Sequence, residues 1–163
     1  MGEVNPVEFV QGSLYFISDR FFEVVNDPNL MVNYQTTKRP HYYAVRDPDT
    51  SLLWMIPRSS RVEKYRRIIN ERKRRHKTTK GIHLVRIQGM EMALLLQNMF
   101  PVRECFIDSR YFRGGQPVMI ANPKTIQAIE KDVKQVIMMF RHHVKFFPGQ
   151  PDALRIERIM LED

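Results

Sequence analysis

Two serines, a lysine and an arginine stand at spacings that would let them act together on a phosphate. Ser59 and Ser60 follow the branched and aromatic run Leu52–Ile56 (LLWMI), and Lys64 lies about one helical turn further on. Lys38 and Arg39 precede a second such run, His41–Arg46 (HYYAVR), and Asp47-Pro48-Asp49-Thr50 between the runs is a turn signal. The pattern predicts a β-hairpin that Pro57 ends. Antiparallel pairing sets the entry of one strand beside the exit of the other, so Lys38 and Arg39 become neighbours of Ser59, Ser60, Arg61 and Lys64. Ser59 or Ser60 also falls at the start of a predicted helix, where backbone N–H groups and the helix dipole favour a phosphate. Serine there is most often only a cap. Lys64 and Arg39 beside it are harder to explain by capping.

Hydroxyls and cations around a phosphate, without a metal, suit one reaction well. RNA carries its own nucleophile, the 2′-OH. A protein need only align that oxygen with the adjacent phosphate, accept its proton and stabilise charge on the pentavalent phosphorus. The products are a 2′,3′-cyclic phosphate and a 5′-OH. Proton transfer near neutral pH asks for a group of lowered pKa, and a lysine among many cations answers that description.

Other chemistries lack their residues. There is no Walker loop, dinucleotide fingerprint, zincin pair or nucleophile elbow. His41, His76, His83, His142 and His143 include no i,i+4 pair and no accompanying carboxylate cluster, so neither a metal nor a cofactor is expected. Cys105 is expected to be buried and inert in an apolar strand, and most of the ten methionines to fill the core.

The charge distribution points the same way. Arg58–Lys80 holds eleven Lys or Arg against two acids, whereas the rest of the chain holds 15 bases and 16 acids. Like charges along a helix repel, and the shortage of intervening acids argues for an external polyanion. Nucleic acid fits better than an anionic membrane, because the segment has few large apolar residues. Arg58, Arg61, Arg67, Arg74, Arg75, Lys77 and Lys80, with Lys38 and His41 from the strand entry, are the expected RNA contacts.

The elements that must position these groups follow from periodicity. A strand is expected at 13–17, a short helix at Asp19–Val25, and irregular chain at Asn29–Arg39. The hairpin leads into a helix with Val62, Tyr65, Ile68 and Ile69 on one stripe, fraying within Arg72–Lys80. A strand at Ile82–Ile87, a short helix at Met90–Met99 and strands at Arg103–Ile107 and Pro117–Ile120 come next. A long helix at Lys124–Phe146 and a short one at Pro151–Leu161 complete the series. Residues 1–163 are read as one α+β domain, with a twisted, mostly antiparallel sheet, peripheral helices and a long helix near the C-terminus. A length of 163 residues, 43% of them hydrophobic and 27% charged, excludes a disordered protein. One cysteine excludes a disulfide framework. The absence of both a signal-peptide pattern and an apolar run of about 20 residues predicts a cytoplasmic location away from membranes.

Four blocks together carry a family resemblance: LYFISDRFF at 14–22, KRPHYYAV at 38–45, IPRSSRVEKYRRI at 56–68 and LLLQNMFPV at 94–102. In this order they resemble the ToxN/AbiQ-like toxins of bacterial type III toxin–antitoxin systems, over slightly more than half the chain. The third block is the most specific. The resemblance implies a metal-independent endoribonuclease toxin related in fold to the Kid/MazF toxins, acting on cellular RNA, as in phage defence. It also implies inhibition by a small repeated RNA pseudoknot, which the toxin cuts from its precursor and binds in a cyclic hetero-oligomer. By position Ser59 and Ser60 match the family's hydroxyl pair, and Lys64 its catalytic lysine, with Arg61 in competition. Arg39, or failing that Lys38, matches the basic strand residue, and Tyr34 the tyrosine of the preceding loop. Where an aromatic hydroxyl would be sought in the first helix stands Phe21, so that role is absent or filled by Tyr15.

Two other readings stay open: a non-catalytic RNA-binding protein, and an RNase toxin restrained by a protein antitoxin. A tandem-repeat noncoding RNA just upstream would favour the RNA-inhibited toxin, and a small acidic reading frame the protein-inhibited one. Base selection would depend on stacking partners, for which Tyr34, Tyr42, Trp54 and Phe112 are candidates, each equally at home in a core.

Overall fold

The computed structural model describes residues 8–31 and 38–162. Strand β1 (Leu14–Ile17), helix α1 (Asp19–Val25), strands β2 (Pro40–Arg46) and β3 (Leu53–Ser59), and helix α2 (Val62–Arg74) come first. Strands β4 (His83–Ile87), β5 (Met90–Leu94), β6 (Phe100–Val102) and β7 (Ile107–Arg110) complete the main sheet. A small hairpin of β8 (Phe112–Arg113) and β9 (Gln116–Pro117) precedes helices α3 (Pro123–Arg141) and α4 (Ala153–Leu161). Across the sheet the order is β4-β5-β3-β2-β1-β7, with β6 also on β3. Every pairing is antiparallel, giving the expected α+β fold.

The sheet is covered on both faces. Tyr42, Ala44, Trp54 and Ile56 pack against Ile129, Val133, Val136 and Phe140, the apolar stripe of α3. On the other face Tyr43, Leu53 and Met55 meet Phe21, Phe22 and Val25 of α1 and Ile156 and Met160 of α4. Burying each such large side chain contributes about 1.5–3 kcal/mol. Helix α2 covers only the end of the sheet, where Tyr65, Ile68 and Ile69 rest on Ala93 and Leu95. No helix among the described residues is long and apolar enough to cross a membrane.

Five expectations change. Met90–Met99 is not a helix: β5 is followed by a 3-10 turn at Leu96–Asn98. The cause is local, because Gln88 and Gly89 both take positive φ (50° and 77°), the geometry of a tight hairpin turn. Pro57 does not end its strand. β3 pairs with β6 through Met55 and with β5 from Arg58, and Pro57, which has no N–H to donate, falls between the two partners. Glu104–Phe106 is a 3-10 turn that leaves Cys105 exposed, and the strand begins only at Ile107. Only Pro117 of the expected strand at 117–120 lies in a strand, though Met119 bridges to Ser13. Helix α3 stops at Arg141, and His143 takes a left-handed φ of 60°. Met55, Met92, Met99 and Met160 are core residues, whereas Met90 and Met138 are exposed.

Candidate active site

The register of the β2–β3 ribbon sets the site. His41 lies opposite Pro57 and Tyr42 opposite Ile56. Continuing that register past the last paired rung puts Arg39 across from Ser59. The chain then turns through Ser60 and Arg61 into α2, so strand entry, strand exit and helix start converge. A cavity of about 500 Å³ opens there, lined by Lys38, Arg39, His41, Arg58, Ser59, Ser60, Arg61, Lys64 and Tyr65, with Met31, Pro40 and Pro57. Five of these side chains are cationic and none is acidic. A pocket so lined favours an anion and offers a divalent cation no carboxylate ligand. Among the described residues no three His, Cys, Asp or Glu side chains gather as a metal site.

Neither serine caps α2 as expected. The N-cap is Arg61, whose side chain makes no cap bond. Ser59 instead accepts the Arg61 backbone N–H at its Oγ (3.2 Å), and the Ser60 carbonyl accepts the Val62 N–H (2.9 Å). The Ser59 hydroxyl thus holds the turn, while the exposed Ser60 side chain faces solvent at the cavity rim. Lys64 is exposed, with Nζ 5.4 Å from the centre of the Tyr65 ring. Burial pushes the Tyr65 phenol up, opposed by the charge of Arg61 and by a hydrogen bond to Ser59.

Lys38 pairs with Asp108 of β7 at 2.5 Å, and that hydrogen bond raises its pKa, so it stays an ammonium. Arg58 is half-buried. Burial lowers its pKa, with Tyr111 opposing the shift and the charges of Arg113 and Arg39 adding to it. His41, expected as a surface RNA contact, is fully buried between Phe22 and Phe100. Its Nδ1 lies 3.0 Å from the Arg39 carbonyl, an acceptor, so Nδ1 carries the proton. Burial lowers its pKa to about 4, keeping the ring neutral at pH 7. His41 is therefore a wall of the cavity that fixes the Arg39 backbone, because a strand buried on both faces leaves it no route to the surface.

Arg67, Arg74, Arg75 and Lys77 lie elsewhere. With Arg72 and Phe146 they line a second hollow of about 600 Å³ at the far end of α2. Arg72 packs its guanidinium 5.9 Å from the Phe146 ring centre, and Arg74 and Arg75 both pair with Glu71. Lys80 is exposed beyond that hollow. Tyr34 lies outside the described residues. Sequence reasoning missed Tyr65 and Asp108. The first is the one hydroxyl in the apolar stripe of α2, which was a signal; the second reaches Lys38 from a distant strand and gave none.

No protein-family model matches the sequence, and no curated protein matches it. Solved structures share the fold, among them two type III toxin–antitoxin proteins. AbiQ, a lactococcal anti-phage endoribonuclease belonging to a type III toxin–antitoxin system, superposes with a TM-score of 0.70 at 14% identity, over 91% of this chain and 95% of that one. A chain from a bacterial type III toxin–antitoxin system, in which a noncoding RNA pseudoknot selectively inhibits the toxin, superposes with a TM-score of 0.63 at 14% identity, over 94% and 98%. Over nine-tenths of its length this chain has the fold of AbiQ, as its resemblance to the ToxN/AbiQ-like toxins implied.

Proposed function

We propose that the protein is a metal-independent endoribonuclease toxin that cuts RNA through the ribose 2′-OH and is held inactive by a repeated RNA pseudoknot. The observation that carries this reading is the cavity at the end of the β2–β3 ribbon, where Arg39, Ser59, Ser60 and Lys64 share one wall-to-wall space with no carboxylate in its lining. A phosphodiester in that space meets the Ser60 hydroxyl at the rim and the Arg39 and Arg61 guanidiniums around it. Lys64 Nζ takes the proton of the 2′-OH as its oxygen attacks phosphorus. The P–O5′ bond breaks, and the departing 5′-oxygen takes a proton from water to leave as a 5′-OH. The arginines stabilise the pentavalent phosphorus, a role worth about 10²–10³ in rate per donor. Tyr34, which precedes the strand entry, is assigned to the same site by resemblance alone.

Two basic regions on one helix suit a partner longer than a single nucleotide. From Val62 to Arg74, α2 spans about 18 Å, roughly three nucleotides of extended backbone. One RNA held at both ends of α2, or two RNA units shared between neighbouring toxins, would give the expected cyclic assembly.

The test is to coexpress the protein with its upstream DNA and sequence the ends of the RNA that copurifies. Uniform repeat units ending in 2′,3′-cyclic phosphate and 5′-OH, also produced by the purified protein in EDTA, are the expected result. Bound RNA left uncut would favour a purely RNA-binding protein. A small acidic protein in place of RNA would favour the protein-inhibited toxin.

A further inference from the structure

Of the four aromatic side chains that could select a base, the structure describes three, and burial separates them. Tyr42 and Trp54 are fully buried, and Tyr34 lies outside the described residues. Phe112 is 54% exposed. A lone exposed apolar residue is ordinary, but the surroundings of this one are not. It stands on β8, paired with β9 through Phe112↔Pro117 and Arg113↔Gln116. Gly114 and Gly115 turn this hairpin with positive φ (60° and 77°), and no atom lies within 4 Å of where either would carry a Cβ. The tip therefore projects into solvent.

One arginine packs on the ring and a second is its neighbour along the strand. The Arg110 guanidinium lies 5.9 Å from its centre, held there by a 2.6 Å hydrogen bond to Ser13 Oγ. Arg113 follows in sequence, its Nη1 2.9 Å from Met90 Sδ at the start of β5. The hairpin is tied to the cavity through β7, the strand that runs into it, because Asp108 of that strand pairs with the cavity-lining Lys38 at 2.5 Å. An exposed aromatic ring with a guanidinium beside it is what a nucleobase and its phosphates recognise. Every base has a π-face to stack, and arginine supplies both cation–π and phosphate contacts.

We propose that Phe112 is a stacking platform for an unpaired base of the RNA whose backbone enters the cavity, with Arg110 and Arg113 holding the flanking phosphates. The inference rests on the RNA-cleaving reading and adds to it a residue that selects substrate. Single-stranded positions are favoured over duplex, since a paired base cannot leave its neighbours to stack on protein.

The test uses single-stranded 2′-fluoro RNA, which lacks the nucleophile, carrying 2-aminopurine at successive positions. The wild-type protein should quench one position at saturation. Phe112→Tyr should keep that quench. Phe112→Ala should lose it, bind about tenfold more weakly and show a KM raised to match on cleavable RNA. Arg113→Gln should instead flatten the salt dependence of binding by about one unit of slope. Wild-type binding with the same quench and affinity in Phe112→Ala would overturn this inference and leave the RNA reading standing. A folded wild type that binds no RNA at all would overturn both.

Discussion

The two ends of α2 carry similar charge and differ in everything else. At the N-terminal end, Arg39, Arg58, Arg61 and Lys64 converge with two serines and a tyrosine on one cavity closed beneath by the buried His41. At the C-terminal end, Arg67, Arg72, Arg74, Arg75 and Lys77 line a hollow that holds no hydroxyl, and two of these cations are already paired with Glu71. Density of positive charge alone does not distinguish a reactive site from a docking surface. What distinguishes them is whether groups of different chemistry are fixed on different elements and aimed at the same few ångströms. Three elements meet at the first end and essentially one helix makes the second.

That contrast can be broken by substitution. The largest expected effect is on catalysis: Lys64→Ala and Ser60→Ala should each lower kcat by about 10³-fold or more with little change in Tm, since both side chains are exposed. A fall in RNA affinity without loss of turnover would make the two ends equivalent and end the distinction. Next comes the floor of the cavity. His41 titrates at about 4 in the fold against 6.5 unfolded, so the unfolded chain binds more protons between those values. Stability is then complete above pH 6.5 and is lost as pH falls towards 4, by about 3 kcal/mol in all. Urea midpoints at pH 7 and pH 4.5 should diverge in the wild type and draw together in His41→Asn. A wild-type midpoint independent of pH would show that the ring is not held neutral by burial.

Smaller effects sharpen the same comparison. Arg74→Ala with Arg75→Ala should weaken RNA binding about tenfold and lower the salt slope by up to two, an effect falling on KM. A collapse of kcat instead would place the far hollow in the chemistry. Smallest of all, Glu71→Gln frees two arginines from surface pairs worth well under 1 kcal/mol each. Tm should barely move while RNA affinity rises a few-fold in filter-binding titrations at low salt.

How much of this was legible beforehand depends on the range of the interaction. The hairpin, the stripe of α2 and the meeting of Arg39 with Ser59 follow from local pattern plus antiparallel register, so the cavity could be anticipated. The Met90–Met99 segment could not be read from apolar content, because a short apolar run fits either element and the deciding signal was the Gln88-Gly89 turn before it. His41 was misplaced for a related reason. Both faces of β2 are buried, so its sequence shows no alternation to say which side chains reach water. The Lys38–Asp108 pair joins residues 70 positions apart, and Phe112 became distinct from Tyr42 and Trp54 only once burial was known.

The hand-over of β3 from one partner to another at Pro57 divides the strand mechanically. Up to Met55 it is clamped in the middle of the sheet by β2 and β6; beyond Pro57 it is tied to β5 by two rungs, Arg58↔Leu94 and Ser59↔Ala93. The β4–β5 ribbon, internally joined by five rungs, is held from its other side: Val85, Ile87, Met92 and Leu94 share the core of Trp54, and His83 pairs with Asp132 of α3. What keeps the cavity's edge in place beside Ser59 is therefore side-chain packing more than backbone rungs.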